Sequence, residues 1–167
     1  DIQSIAVQIS KLRFFISLIC DCEKDENKPN FGIPTLPNLE TKFVCANSLI
    51  DKKSEEAQGN LFEDPGIQET KDALIRLRED HFMAKSASQK RRLREKDDEL
   101  RLTLATLLAD NDLATREDAE QMAKWNPYDQ NASSPFFSAE WMFNVKDGFD
   151  IIIGNPPYIQ LQNNGGE

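Results

Sequence analysis

Residues 149 to 158 read Phe149-Asp150-Ile151-Ile152-Ile153-Gly154-Asn155-Pro156-Pro157-Tyr158. The first half is a near-continuous apolar run, the pattern of a parallel strand covered on both faces. It ends abruptly in a Gly-Asn-Pro-Pro-Tyr loop. In doubly wound α/β sheets, ligands bind at the carboxyl ends of strands. Each loop residue has something to offer there. Gly154 lets the backbone approach a ligand closely. Pro156 and Pro157 fix φ and present carbonyls without N–H groups of their own. Asn155 adds a side-chain carbonyl acceptor, and Tyr158 a flat face on which a ring can stack. Such a loop is rich in acceptors and neutral in charge. Its natural guest is a planar amine with two N–H donors.

An exocyclic amine is a weak nucleophile because its lone pair is delocalised into the ring. Two acceptors on its hydrogens draw it out of conjugation and aim it, so direct displacement on a methyl donor can follow. The work is positioning and electrostatics, without covalent catalysis. The plain alternative is a proline-rich turn leaving a core strand. Composition alone produces this tetrapeptide on the order of once in 10⁵ to 10⁶ windows, and the strand-like run before it sharpens the signal.

Upstream, the chain alternates helical and short apolar segments. Ile2, Ile5, Ile9, Leu12, Phe15, Ile16 and Ile19 recur at helical spacing. The wide apolar face predicts a helix over 2–20 packed on a sheet. A polar stretch over 21–38 reads as a loop, and Lys42 to Ala46 (KFVCA) as a short buried strand. Residues 67–109 read as two helices. One carries Ile67, Leu74, Leu77 and His81 on one face; the other carries Leu93, Leu100, Leu104 and Leu107. Ser86 and Gln89 match a capping box between them. Thr115 and Asp118 open a third, short helix, stopped by Asn126-Pro127. An irregular aromatic loop follows over 127–148.

The 167 residues suffice for one ordinary domain. Hydrophobic residues make up 39% and charged residues 29%, a globular composition. No apolar run reaches the ~20 residues of a membrane span, and no secretory signal opens the chain. Together these predict a cytoplasmic protein. The three cysteines, Cys20, Cys22 and Cys45, fit a reducing compartment. With a single histidine they make a poor ligand set, so no metal is expected, and buried, inert thiols are the simplest reading.

The net charge of −9 sits badly with unaided DNA binding. Residues 85–96 (KSASQKRRLREK), however, hold six basic residues against one acid, leaving −14 on the rest. Lys90, Arg91, Arg92 and Arg94 crowd a helix start, where cations oppose the macrodipole. Contact with DNA phosphates is one reading of this cluster. A solvated face balanced by Glu95, Asp97, Asp98 and Glu99 is the other.

The stretch from Phe149 to Tyr158 resembles motif IV of S-adenosylmethionine-dependent amino-methyltransferases. Asp1-Ile2-Gln3 resembles motif II of the same enzymes. There the resemblance implies that Asp1 holds the cofactor ribose hydroxyls and that Ile2 packs on its adenine; Asp1 also serves as a plain helix N-cap. Phe43 to Leu49 (FVCANSL) resembles motif III, with Asn47 where many members carry an Asp facing the adenine amine. The long segment between the last two motifs resembles that of type IIG restriction–modification enzymes and related phage-defence methyltransferases.

The resemblance implies a fold and a function. The fold is α/β: part of a Rossmann-like class I methyltransferase sheet, with few strands and a large helical insertion. Residues 1–60 would belong to the core, 61–126 to the helical insertion and 127–167 to the aromatic loop, strand and catalytic loop. The function is methyl transfer from S-adenosylmethionine to adenine N6 of a base flipped out of double-stranded DNA. Asn155, Pro156, Pro157 and Tyr158 would be the catalytic residues, and Asp1, Ile2 and Asn47 would bind the cofactor.

The glycine-rich motif I is not found. The chain therefore reads as a piece of a longer enzyme, inactive alone and inclined to self-associate through unpaired strand edges. Two alternatives stay open. One is the same chemistry on a protein glutamine or an RNA guanine amine, although such enzymes generally have compact spacing between motifs III and IV. The other is a non-catalytic helical interaction module.

Overall fold

The computed structural model describes residues 2–50, 64–145 and 148–154. Five α-helices account for most of them: α1 (Ser4–Cys20), α2 (Pro65–Met83), α3 (Ala87–Asp110), α4 (Arg116–Lys124) and α5 (Ala139–Phe143), with a 3₁₀ turn at Pro29–Gly32. Among the described residues there is no strand and no sheet. A single parallel bridge joins Ala46 to Ser134. The expected partial Rossmann-like sheet is therefore corrected to a helical architecture.

The physical reason lies in pairing. An apolar run becomes a strand only when a neighbour satisfies its backbone donors and acceptors. Residues 149–153 have no such neighbour among the described residues, and Ile151, Ile152 and Ile153 stand out in solvent, Ile153 at 93% exposure. The 42–46 segment comes closer to its predicted state. Ser134 N–H donates to Cys45 O at 2.8 Å and Asn47 N–H to Ser134 O at 3.0 Å. Its partner is thus the aromatic loop rather than residues 149–153.

The helix hairpin forms where the sequence predicts it. Ser86 caps α3, its Oγ accepting the Gln89 N–H at 3.2 Å. Asp64 caps α2 ahead of Pro65, which needs no hydrogen bond at the first helical position. The end of α2 is closed from outside: Asn38 Nδ2 donates to the carbonyls of His81 and Ala84, both at 2.7 Å, and Asn38 N–H to that of Phe82 at 3.0 Å. These are the orphan carbonyls that any helix C-terminus leaves. Thr115 caps α4 by accepting the Asp118 N–H, and α4 stops at Lys124, ahead of Asn126-Pro127.

The core lies between α2, α3, α4 and α5. Ile67, Leu74, Leu104, Ala105, Leu108, Met122, Phe136 and Met142 form its main cluster. All four residues expected on the α2 face are buried: Ile67, Leu74, Leu77 and His81. On α3, Leu93 and Leu104 are buried, while Leu100 and Leu107 pack at the margin.

Helix α1 departs from expectation. It forms over nearly the predicted span but contributes no buried residue. Ile5, Ile9, Leu12 and Ile16 are exposed, so its apolar face covers no sheet. It is held instead by its polar side chains: Gln8 Nε2 donates to Gln130 O at 2.9 Å, and Lys11 Nζ to Gln130 Oε1 at 2.6 Å. Phe14 adds an edge-on contact with Phe43 at 5.7 Å. No helix among the described residues is long and apolar enough to cross a membrane.

Candidate functional site

The predicted catalytic loop, Asn155 to Tyr158, lies outside the described residues, as does Asp1. Ile2 precedes α1 and is exposed. Asn47 sits beside the bridge. Its Oδ1 accepts the Leu49 N–H at 3.1 Å, and its carbonyl accepts the Ile50 N–H at 3.3 Å. This Asx-type turn commits one acceptor lone pair of the side chain to the backbone. Of the three expected cofactor residues, Ile2 and Asn47 lie among the described residues and Asp1 does not.

The cysteines are dispersed rather than clustered. Cys45 is buried and Cys20 exposed; Cys22 is half-buried, with its thiol directed to Leu18 O at 3.1 Å. The reading of all three as buried thiols holds only for Cys45.

The basic cluster divides into two parts. Arg91 and Arg92 project into solvent from the first turns of α3. Arg91 makes only a long, exposed pair with Glu95 at 3.9 Å. Arg94, in contrast, turns inward. Its Nε donates to His81 Nε2 at 3.3 Å, its Nη2 to Glu40 Oε1 at 3.3 Å, and its guanidinium lies 5.2 Å from the Tyr128 ring centroid. Lys90 is half-buried one turn earlier. Arg91 and Arg92 are thus presented outward, while Arg94 is spent on the fold.

Behind Arg94 lies a polar core that sequence reading missed. Asp97 is 0% exposed. Its Oδ1 accepts from Arg101 Nε at 2.7 Å; its Oδ2 accepts from Arg78 Nε at 2.9 Å and from the Tyr128 hydroxyl at 3.2 Å. Arg101 continues to Ala123 O at 2.5 Å, to Trp125 O and to the more exposed Asp98. Arg78 Nη1 donates to Trp141 O at 3.1 Å. One carboxylate therefore ties α2, α3, the end of α4 and the start of α5 together. Burial pushes the Tyr128 hydroxyl well above its usual range, and the neighbouring Asp97 charge adds to this. Burial also lowers Arg101, against the opposing pull of Asp97.

The sequence carries a signal for this buried pair beyond the open alternative of a solvated acidic face. Leu93, Asp97, Arg101, Leu104 and Leu108 form one stripe at helical spacing, so the charged pair at 97 and 101 interrupts a row of leucines. A carboxylate and a guanidinium four residues apart on an apolar face can bury each other only when they are paired.

His81 lies against this network, fully buried, with its ring 4.7 Å from that of Tyr128. Its Nε2 accepts from Arg94. Burial is the main cause of its lowered pKa; Glu40 pulls it up, Arg94 and Lys90 push it down, and Asp97 pulls it up slightly.

A family model describing the Eco57I restriction-modification methylase matches residues 1–167. No curated protein and no solved structure matches the chain significantly.

Proposed function

The chain belongs to the Eco57I restriction-modification methylase family, and from that premise we propose that it is part of an enzyme that methylates adenine N6 in double-stranded DNA, with S-adenosylmethionine as donor. The observation that carries the base assignment is Asn155-Pro156-Pro157-Tyr158, placed directly after an apolar run in a chain of this family. The target base must leave the stack to reach such a loop. Tyr158 then stacks on the adenine, while Asn155 Oδ1 and a proline carbonyl accept from the two N6 hydrogens. This grip turns the nitrogen lone pair out of the ring and excludes bases lacking an exocyclic amine. When bound, the donor supplies the methyl group, and Asp1, Ile2 and Asn47 would hold it together with further parts of the enzyme. Accordingly, the chain alone should not methylate.

The test uses the enzyme that contains this chain. Asn155→Ala should lower methyl transfer to duplex DNA by about 10²- to 10³-fold, as loss of one oriented polar group at a reacting centre does. Nucleoside analysis of the wild-type product should yield N6-methyladenine. Full activity in the variant, or methylated cytosine as the product, would sink the proposal. Isothermal titration of the 167-residue chain with S-adenosylmethionine tests the inactivity of the piece, and micromolar binding would refute it.

A further inference from the structure

The chain approaches its candidate catalytic loop over three phenylalanines. Phe137, Phe143 and Phe149 form a triangle. Ring centroids lie 6.0 Å apart for Phe143 and Phe149, 6.2 Å for Phe137 and Phe143, and 6.4 Å for Phe137 and Phe149. All three separations fall in the range where edge-on and offset aromatic pairs attract. Two of the rings belong to the body of the fold. Phe137 and Phe143 pack against the main core cluster, and the Phe137 N–H donates to Ile50 O at 2.8 Å. Phe143 ends α5, which Ser138 caps by accepting the Trp141 N–H. Lys71 of α2 ties the same helix down through Glu140 at 2.7 Å. The third ring, Phe149, stands where the apolar run begins.

Local backbone geometry brings that third ring back. After α5 the chain enters the left-handed region at Asn144, with φ 57°. The Asn144 N–H donates to Glu140 O at 2.7 Å, the usual closure of a left-handed helix end. Gly148, with φ 82°, makes a second left-handed turn directly before Phe149. No atom lies within 4 Å of where a Cβ would stand, so this glycine serves the turn and not a tight contact. The two turns return the chain so that Phe149 meets Phe143. Beyond Phe149 the cover stops. Ile151, Ile152 and Ile153 are exposed at 78%, 83% and 93%, whereas Phe149, at 43%, is more than half covered.

We propose that Phe149 is a positioning residue for methyl transfer: docked on Phe137 and Phe143, it fixes where, and with which face, the run to Asn155 leaves the helical body. This rests on the reading of Asn155 to Tyr158 as the amine-gripping loop. Side chains of an extended run alternate between two faces, so Phe149, Ile151, Ile153 and Asn155 would share one. A slip of one residue would turn Asn155 to the other face. The path from Phe149 to Asn155 spans at most about 20 Å when fully extended, so a fixed ring at its start limits how far the loop can wander. A misplacement of about 1 Å caused far from the chemistry can cost about 10²-fold in rate. Phe149 acts through Asn155 and supplies no catalytic group of its own.

Phe149→Ala and Phe149→Tyr, each made in the enzyme that contains this chain, test the assignment. Phe149→Ala should lower kcat for duplex DNA methylation by about ten- to a hundredfold and leave KM for DNA unchanged, as loss of positioning rather than of binding does. Phe149→Tyr keeps the ring and should keep most of the rate. Amide exchange over residues 149–158, read by mass spectrometry, should quicken at least about fivefold in the alanine variant alone, because two ring contacts are lost. Should the alanine variant lose its fold, Gly148→Ala carries both measurements: it keeps the three rings and strains the turn that aims Phe149. Unchanged exchange would show that no anchor exists, whatever reaction the enzyme performs. Quickened exchange with full kcat, in an enzyme that Asn155→Ala silences, would refute the positioning role. A fully active Asn155→Ala enzyme would overturn that role through the reading of the loop, and quickened exchange would then still uphold the anchor.

Discussion

Asp97 is a carboxylate without water, held by two guanidiniums and a phenol, and its worth to the fold follows from what its removal would leave. Asp97→Asn keeps the shape but strands Arg78 without its counterion and leaves Arg101 only the half-exposed Asp98. Breaking a buried pair in this way costs about 3–5 kcal/mol, and urea unfolding should show it. Asp98 bonds the same arginine from a half-exposed position, so Asp98→Asn should cost under ~1 kcal/mol. Equal losses in the two variants would mean that the network is not the fastening point of the helices. His81 makes a second prediction at this scale. Its folded pKa lies below the ordinary 6.5, so the native state resists protonation more than the unfolded chain does. The stability this contributes is complete above about pH 6.5 and drains away as the pH falls through the folded value. His81→Gln keeps an acceptor for Arg94 and cannot titrate. It should flatten the stability profile between pH 7 and 5, measured by thermal unfolding across buffers. A wild-type profile already flat over that range would remove the role given to this imidazole.

At the level of elements, α3 does two jobs with one basic turn. Arg94 faces α2 and the Tyr128 turn, while Arg91 and Arg92 face solvent from the same helix end. The first turn of α3 runs from Ala87 to Lys90, so Arg91, Arg92 and Arg94 lie past the reach of the macrodipole, and of the three Arg94 is the one bonded to other elements. If Arg91 and Arg92 meet DNA phosphates in the enzyme, replacing both with Gln should lower the slope of log affinity against log salt by up to ~1.8, about 0.9 per phosphate contact. Arg94→Gln should instead lower the unfolding midpoint, because His81 Nε2 and Glu40 lose their donor. An unchanged slope in the Arg91 and Arg92 double variant would reduce the outer pair to a solvated face. The capping signals at Ser86 and Thr115 were legible in sequence because a cap is a local bargain between a hydroxyl and an N–H three residues on. The division of the basic cluster was not legible, because it depends on what α2 and residue 40 bring against α3.

Across the whole molecule the same divide separates what the sequence discloses from what it hides. Hydrophobic spacing identifies residues that favour burial, and for α2 it named the buried face correctly. It does not supply the partner. Ile151, Ile152 and Ile153 read as a strand and α1 reads as a sheet-packing helix, yet among the described residues no ladder or sheet meets either of them. The candidate catalytic loop was legible as chemistry, since acceptor-rich residues at consecutive positions carry their meaning locally.

Exposed Ile5, Ile9, Leu12 and Ile16 on one helix, together with the triple isoleucine, exceed the scattered apolar exposure of an ordinary monomer, and contiguous apolar surface of this kind drives association. Side-chain burial is a second route beside the strand-edge pairing expected from sequence. The 167-residue chain alone should therefore show a scattering mass that rises with concentration. Ile5→Glu with Ile9→Glu should bring it down toward one chain, while the free energy of unfolding stays within about 0.5 kcal/mol of the parent, as exposed substitutions usually do. A concentration-independent monomer in the parent would show that α1 needs no cover, and a double variant that still associates would shift the cause from α1 to residues 151–153.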